Sequence, residues 1–266
     1  MQYQKITLVF FLALMGCSTG PTTTRALSYS VNAKKNYQNG VRALRKKQFE
    51  EAKKYFTYVR SHFVLSKYVV LAELRLADLL FKQGKYLSAM DAYQNFIKEH
   101  PHHRNVLSGY VPFQVGYCQW KMTPSGWWLM PPTYEKDLTP AAGAMKVFRL
   151  FLKRFPDSKY ARRASRYYRK AIRMLARHEM YVARFYLSRN KPKGAILRLE
   201  GLIKRYPDAG YESSVMLLLG KTYLKLGRVK QATNTFKRII ARHPSSPNAS
   251  RARLYVRFIN HRYRPR

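Results

Sequence analysis

Apolar residues recur three and four positions apart through residues 215–244, and the pattern is interrupted once, at Gly227. This spacing predicts two amphipathic helices joined by a tight turn, because a helix brings residues three and four apart onto one face. Small residues, Gly220 in the first helix and Ala232 in the second, would let the two helices approach closely. Pro244 cannot continue a helix and is expected to end the unit.

Four other segments follow the same spacing. The alanines that mark the second helix of each unit are Ala52, Ala89, Ala144, Ala195 and Ala232. A small residue stands twelve positions before each of them except Ala144, whose best partner is Gly116, 28 residues earlier. The arrangement resembles the tetratricopeptide repeat (TPR), in which helix pairs stack into a superhelix.

We therefore predict an all-α, right-handed TPR superhelix of about five helix-pair repeats. The repeats are expected near residues 33–64, 70–101, 108–156, 180–207 and 213–244, with a C-terminal helix at 246–262, in a solenoid spanning 31–266. A further helix over residues 158–178 is expected ahead of the fourth repeat.

The third repeat contains an insertion, residues 121–140, with four prolines and the pair Trp127-Trp128. So many prolines exclude a regular helix. The insertion could be a loop whose tryptophans are buried against the solenoid, or an exposed contact for a partner. We favour the first, because an exposed pair of tryptophans is costly unless it is covered.

The N-terminus has the features of a secreted lipoprotein. One Lys and a ten-residue apolar run, Ile6 to Met15, precede Gly16 and Cys17, and such a run suits a signal peptide but is too short to cross a bilayer. Leu14-Met15-Gly16-Cys17 resembles a bacterial lipobox, which predicts a signal peptide at 1–16, lipidation of Cys17 and a flexible tether over 17–30. Ser18, where an Asp would retain the protein at the inner membrane, resembles an outer-membrane address. The alternative is an ordinary signal peptide that happens to contain a cysteine.

Charge is the unusual feature of the composition. The chain has 51 Lys and Arg against 13 Asp and Glu, a formal charge of +38, yet 46% of its residues are hydrophobic, which excludes a disordered basic tail. On a helix over 158–178, eight cations would share an arc of about 120° that contains no acid. They are Lys159, Arg162, Arg163, Arg166, Arg169, Lys170, Arg173 and Arg177. A second basic group follows near the C-terminus: Arg251, Arg253, Arg257, Arg262, Arg264 and Arg266.

A solvated helix face normally mixes both signs, so an all-basic stripe indicates an acidic partner, an anionic lipid surface or adaptation to a high background of anions. Nucleic acid is the obvious alternative, since Arg interleaved with Tyr suits phosphates and bases. The lipobox argues against it, because a periplasmic lipoprotein meets no DNA or RNA.

No arrangement of residues typical of catalysis is present, so we predict that the protein is not an enzyme and carries no cofactor. His100, His102 and His103 could bind a metal, but we expect no acid or thiol close to them and therefore no metal site. Once Cys17 is lipidated, Cys118 is the only free thiol, and beside Tyr117 and Trp120 it is expected to be a buried small hydrophobe.

Together, the lipobox, the tether and the five repeats resemble the BamD family of lipoproteins, which belong to the outer-membrane β-barrel assembly machine. The segment FLKRFPDSKYARRA (151–164) looks like the family's helix–YPxSxY–helix joint, and MYVARFYLSRNKPKGAILRLEGLIKRYPDA (180–209) looks like its signature of an R-x-E-G motif followed by YPD. The resemblance covers essentially the whole chain. The sequence departs from the family in its insertion, in its extreme charge, and at Phe63-Val64, where the family has Tyr-Pro.

The resemblance implies a scaffold anchored on the periplasmic face of the outer membrane. Its expected partners are the POTRA domain of a BamA-like barrel protein, unfolded outer-membrane β-barrel proteins and accessory lipoproteins. The residues expected to dock on BamA are Arg198, Glu200, Gly201, Arg162, Arg166 and Arg173. The residues expected in the substrate groove are Phe63, Tyr68 and Tyr37. The alternative function is another periplasmic TPR scaffold, in secretion, polysaccharide export or a peptidoglycan-linked complex.

Overall fold

The computed structural model describes residues 27–124 and 136–263. The predicted signal peptide, the predicted lipidation site Cys17, the Trp127-Trp128 pair, and Arg264 and Arg266 lie outside these ranges. The described residues form helices and no strands. The helices are α1 (Ala33–Arg45), α2 (Phe49–His62), α3 (Lys67–Lys82), α4 (Tyr86–Glu99), α5 (Arg104–Leu107), α6 (Tyr110–Lys121), α7 (Thr139–Arg154), α8 (Ala161–Ser188), α9 (Pro192–Arg205), α10 (Glu212–Lys225), α11 (Val229–Arg242) and α12 (Pro247–Arg262).

The helices stack in chain order. Each long helix packs mainly against those before and after it, and the first helices of neighbouring pairs also touch, as α1 does with α3 and α10 with α12. The core consists of clusters that follow one another along the chain, and the cluster at its C-terminal end extends from α8 to α12. The protein is therefore an all-α TPR superhelix, as predicted. None of the described helices has the length and apolar character needed to span a bilayer.

Close contact between a small residue and an aromatic ring defines the seam inside the helix pairs. A Cβ atom placed on Gly220 would lie 2.5 Å from the ring of Phe236, and one on Gly40 would lie 2.7 Å from Phe56. In the third pair the corresponding distance, from Gly116 to the ring of Phe148, is 2.8 Å. This contact confirms that Gly116 belongs with the helix of Ala144, although the insertion separates them in sequence.

The turns inside the pairs share one backbone device. The second residue after the first helix has a left-handed conformation at Gly84 (φ 78°) and Gly227 (φ 70°), and the same conformation occurs at Lys47 (φ 60°) and Asn190 (φ 53°). In each turn the next residue's N–H donates to a carbonyl five residues back, for example Arg228 to Tyr223 at 2.9 Å. This is the hydrogen bond by which helices commonly end.

The region before the fourth repeat differs from the prediction. The helix expected over 158–178 and the first helix of the repeat expected from 180 form one continuous 28-residue helix, α8. It begins at Ala161 rather than at 158, and no Gly or Pro interrupts residues 161–188. Seven of the eight cations of the basic stripe, all but Lys159, and the first helix of the fourth pair are therefore on one continuous helix.

The segment predicted as a flexible tether also differs, at its end. The backbone N–H of Ser30 donates to the side chain of buried Asn36 at 2.8 Å, and the Asn36 amide returns a hydrogen bond to Ser30 O at 2.6 Å. The ring of Tyr29 stacks on Tyr58 at 4.1 Å between centroids. Residues 28–30 therefore contact the first helix pair.

Candidate functional site

Two of the three residues predicted in the substrate groove come together. The rings of Tyr37 (α1) and Tyr68 (α3) lie 5.6 Å apart. Phe63 lies elsewhere: its ring packs edge-on against Tyr58 at 5.9 Å, in the cluster that includes Tyr29. The structure therefore does not support Phe63 as part of the same groove, because it follows α2 on the side that holds residues 28–30.

A pocket of about 400 Å³ lies between α1 and α3. Tyr37, Val41 and Leu44 form its apolar floor, and Arg45, Arg75 and Lys82 supply positive charge at its edge. Tyr37 was predicted from the sequence but these three cations were not, because their spacing along the chain does not show that they face one pocket.

A buried carboxylate holds Arg75 in place. Asp78 is only 5% exposed, forms an ion pair with Arg75, and accepts hydrogen bonds of 2.7 Å from the hydroxyls of both Tyr93 and Tyr110. On its other side the Arg75 Nε donates to the Tyr37 hydroxyl at 3.2 Å. A network of polar side chains thus joins α1, α3, α4 and α6.

The electrostatics of this network keep the two phenols protonated. Burial raises the pKa of Tyr93 and Tyr110, and the neighbouring Asp78 carboxylate raises both further. Burial lowers the pKa of Arg75, but Asp78 and the Tyr37 hydroxyl more than offset this, so its pKa is raised overall. The pocket therefore presents a permanently charged, oriented guanidinium beside an apolar floor, an arrangement suited to an anionic group attached to an apolar one.

The R-x-E-G residues lie at the seam of α8, α9 and α10. Buried Glu179 of α8 binds Arg205 Nη2 at 2.6 Å and Arg198 Nη1 at 3.5 Å. The side chains of Arg198 and Arg205 are 43% and 50% exposed, so their outer faces are open to a partner. The backbone oxygen of Gly201 accepts a hydrogen bond from Arg205 Nε at 3.2 Å.

Glu200 faces the next helix pair. Its carboxylate accepts a hydrogen bond from the Tyr223 hydroxyl of α10. Burial and this hydrogen bond raise the pKa of Tyr223 to about 12. Glu200 therefore links α9 to α10 and has a structural partner inside the chain.

The basic stripe on α8, defined by the eight cations from Lys159 to Arg177 named above, is exposed along its whole length. In residues 27–124 and 136–263, none of these cations forms an ion pair with a carboxylate. Their contacts are with neutral groups: Arg163 lies over the ring of Phe113 at 4.9 Å, and Arg177 Nε donates to the Tyr211 hydroxyl at 2.9 Å. The stripe is a line of uncompensated charge on a rigid helix.

The six residues predicted to dock on BamA form two groups. At about 100° per residue, Glu179, which binds Arg198, lies roughly 140° around α8 from the centre of the stripe. Arg198 of α9 therefore borders the seam with α8 and Glu200 borders α10, while Arg162, Arg166 and Arg173 face solvent on another side of α8.

The histidine segment also differs from expectation. An acid does approach it: Glu73 Oε2 lies 2.8 Å from His100 Nε2, and these two residues and Glu99 bring one ligand atom each within 4.8 Å. His103 is not part of this group, and its Nδ1 accepts a hydrogen bond from the backbone N–H of Asn105 at 3.2 Å. Glu73 was missed because it precedes His100 by 27 residues on another helix. Glu73 and His100 are partly buried and Glu99 is exposed, and the contact of Glu73 with His100 is explained as a hydrogen bond between the two side chains.

Cys118 is fully buried in α6. Burial raises the pKa of its thiol to about 12. The prediction that this cysteine is a buried small hydrophobe is confirmed, and a protonated, inaccessible thiol does not act as a nucleophile.

Comparison with known proteins gives two matching family models. The model of the YfiO outer membrane lipoproteins matches residues 30–235, and a tetratricopeptide repeat model matches residues 217–263. Among curated proteins, the outer membrane protein assembly factor BamD of Neisseria meningitidis strain Z2491 is 26% identical, over 98% of this chain and 94% of the relative. BamD of Xylella fastidiosa strain Temecula1 is 23% identical over 91% of this chain and 82% of the relative. A solved structure of the yeast Sti1 TPR2AB domain with pHSP90 covers 86% of this chain and 83% of that chain, at 14% identity and a TM-score of 0.41.

Proposed function

Since this chain belongs to the YfiO family of outer membrane lipoproteins, we propose that it is a scaffold of the outer-membrane β-barrel assembly machine. The observation that carries the proposal is the family match across residues 30–235, supported by curated BamD relatives that align over nearly the whole chain. In this role the protein has no catalytic activity. It is attached through acyl chains on Cys17 to the periplasmic face of the outer membrane.

We propose that the C-terminal half docks on the POTRA domain of a BamA-like barrel protein. Arg198 suits this role because buried Glu179 fixes the near side of its guanidinium and leaves the far side exposed. Holding a side chain in its binding orientation beforehand lowers the entropic cost of association. Arg162, Arg166 and Arg173 would attract an acidic partner surface, since no carboxylate of the described chain neutralises them.

We propose that the pocket between α1 and α3 receives unfolded outer-membrane barrel proteins. Tyr37, with Tyr68 beside it, offers aromatic surface, Arg75 offers a guanidinium oriented by its ion pair with Asp78, and Arg45 and Lys82 add positive charge at the edge. A chain end with an aromatic side chain and a terminal carboxylate matches both features. Phe63 does not line this pocket, so we do not include it in the proposal.

The experiment that tests the docking proposal is co-purification of detergent-solubilised, full-length protein. Native protein is expected to retain a POTRA-containing barrel protein, and its depletion is expected to lower the level of barrel porins in the outer membrane. The triple variant Arg162→Glu, Arg166→Glu, Arg173→Glu is expected to lose the partner at low salt. The matched control is the triple variant Lys34→Glu, Lys53→Glu, Lys98→Glu. It changes the net charge by the same amount at exposed positions that are distant from the stripe in sequence.

If native protein retains no POTRA-containing protein and its depletion leaves porin levels unchanged, the assembly function is wrong. If both triple variants lose the partner equally, the stripe is not the docking surface and only the overall charge matters. Mass spectrometry of the mature N-terminus tests the anchor, since Cys17→Ser should remove the acyl chains.

The substrate pocket is tested with a peptide that ends in Phe. Binding is measured by fluorescence anisotropy. Amidation of the peptide's C-terminus is expected to weaken binding to native protein. It is expected to have little effect on binding to Arg75→Gln, which lacks the guanidinium that would bind the carboxylate. The control Lys35→Gln removes an exposed charge on α1 that does not line the pocket. An equal effect of amidation on all three proteins would contradict the assignment of Arg75.

A further inference from the structure

A second groove lies at the other end of the described chain, between α10 and α12. It has a volume of about 540 Å³ and is lined by Leu217 and Lys221 of α10 and by Arg251, Leu254, Tyr255 and Phe258 of α12. Leu254 and Phe258 are 57% and 54% exposed although both are large and apolar. They stand four residues apart and so share one face of α12.

The walls of this groove are held firmly. The Asn248 amide at the start of α12 donates to Ser213 Oγ at 3.1 Å and to Ser214 Oγ at 3.0 Å at the start of α10. The ring of Tyr255 stacks on Phe236 of α11 at 4.8 Å between centroids, with 8° between the planes. The groove is therefore formed in advance of any ligand and does not require α12 to move.

The charged residues that line the groove, Lys221 and Arg251, are both basic, and the one acid of α10, Glu212, is held by Arg242 and His243. Residues 213–266 contain 13 Lys and Arg and no Asp or Glu. Lys221 stands on one wall and Arg251 on the other, and neither forms an ion pair with a carboxylate in the part of the chain that the structure describes. Two cations on facing walls with apolar side chains between them match a ligand that carries carboxylates beside apolar groups.

We propose that the groove between α10 and α12 binds an acidic segment of a partner protein whose apolar side chains cover Leu254 and Phe258. A flat lipid surface fits less well, because Lys221, Arg251 and Leu217 line a concavity between two helices rather than a protruding face. This groove is distinct from the stripe residues Arg162, Arg166 and Arg173 and from the pocket at Arg75, so the proposal does not depend on either.

The test uses fluorescence anisotropy of the full-length protein with three labelled peptides of equal length. The first combines Asp and Glu with Leu and Phe, the second replaces the acids with Asn and Gln, and the third keeps the acids but replaces Leu and Phe with Ser. The first peptide is expected to bind most tightly. The other two are expected to bind at least about tenfold more weakly, because each lacks one of the two matching features.

Variants locate the site. The double variant Lys221→Glu with Arg251→Glu is expected to lower the affinity for the first peptide by about tenfold or more. Both walls of the groove would then repel the acidic side chains of the peptide instead of attracting them. Phe258→Ala is expected to lower the affinity for the first peptide and to leave the affinity for the third peptide, which has no Leu or Phe, unchanged. The matched control is Lys230→Glu with Lys237→Glu, two exposed positions on α11 that do not line the groove and that change the net charge by the same amount. Circular dichroism checks that each variant keeps its helices.

Three outcomes would overturn the proposal. Equal losses in the two double variants would show a general field instead of a site, and equal binding of all three peptides would show no recognition of acids or apolar groups. The third outcome is that the double variant Lys221→Glu with Arg251→Glu loses binding to vesicles containing phosphatidylglycerol but still binds the first peptide. This result would assign the groove to lipid.

Discussion

Residues 27–124 and 136–263 are built from the same helix pair, but they carry 16 and 31 Lys and Arg side chains against six Asp and Glu each. In the first region, buried Asp78 gathers Arg75 and two tyrosines into one network between helix pairs. In the second, Glu179 and Glu212 each hold two basic side chains at the surface, and the basic stripe on α8 is left without a carboxylate partner among the described residues.

The difference shows which features hold the superhelix together. Gly40 against Phe56 in the first region and Gly220 against Phe236 in the second make the same tight seam, whatever the surrounding charge. The fold depends on that seam, and the charges of the second region are available to bind partners.

The largest expected effect is the loss of stability when a buried acid is replaced by alanine. Asp78→Ala should lower the free energy of unfolding by about 3–5 kcal/mol, because it leaves a largely buried Arg75 and the buried Tyr93 hydroxyl without their acceptor. Glu179→Ala should cost only about 1–2 kcal/mol, since Arg198 and Arg205 can turn to water. Urea denaturation followed by circular dichroism measures both. Equal losses would show that the two acids have the same structural role and that the contrast between the regions is false.

The seam should be equally sensitive in both regions. Gly40→Ala, Gly116→Ala and Gly220→Ala should each cost about 1–3 kcal/mol, because the added methyl group would overlap a fully buried Phe ring. Gly201→Ala is the control, since its Cβ would meet only the end of the Arg205 side chain at 3.2 Å. Helix propensity alone predicts that this control gains up to about 1 kcal/mol. Similar melting temperatures for Gly220→Ala and Gly201→Ala would contradict the role of the seam.

The seam is also the part of the structure that could be predicted from sequence, because a helix pair forces its small and aromatic residues into a fixed spacing. Asp78 could not be found in this way: next to Ala77 it looks like any polar residue of an amphipathic helix, and its partners Tyr93 and Tyr110 belong to other helices. The acid beside His100 was missed for the same reason. The continuity of α8 had a local signal, the absence of Gly and Pro, which the repeat spacing obscured.

Replacing a cation by a neutral residue should stabilise the protein in the stripe on α8 but destabilise it in the first region. Arg166 has Arg162, Arg163, Arg169 and Lys170 at three and four positions away, so Arg166→Gln removes repulsion and should stabilise the protein by about 1 kcal/mol at low salt. Lys54 instead has Glu50 and Glu51 four and three positions before it, and Lys54→Gln should cost about 0.5 kcal/mol. Thermal unfolding at low and at about 0.5 M salt measures both effects, which should shrink together as salt screens the charges. The same sign in both variants would show that the stripe carries no net repulsion.

The smallest expected effect concerns the pH dependence of the second region. Burial raises the pKa of Glu212, but hydrogen bonds from Arg242 at 2.8 Å and His243 at 3.0 Å outweigh it, so the pKa is lowered from the ordinary 4.5. A carboxylate whose pKa is lower in the folded state stabilises the protein above 4.5, and this contribution is lost as the pH falls through the lowered value. Because the pair is partly exposed, the contribution should be below about 1 kcal/mol. Native protein and Glu212→Gln should therefore differ in unfolding free energy near neutral pH and converge in acid, as measured by urea denaturation across pH. Parallel curves, with the same difference at every pH, would mean that Glu212 stabilises α10 by packing and not by its charge.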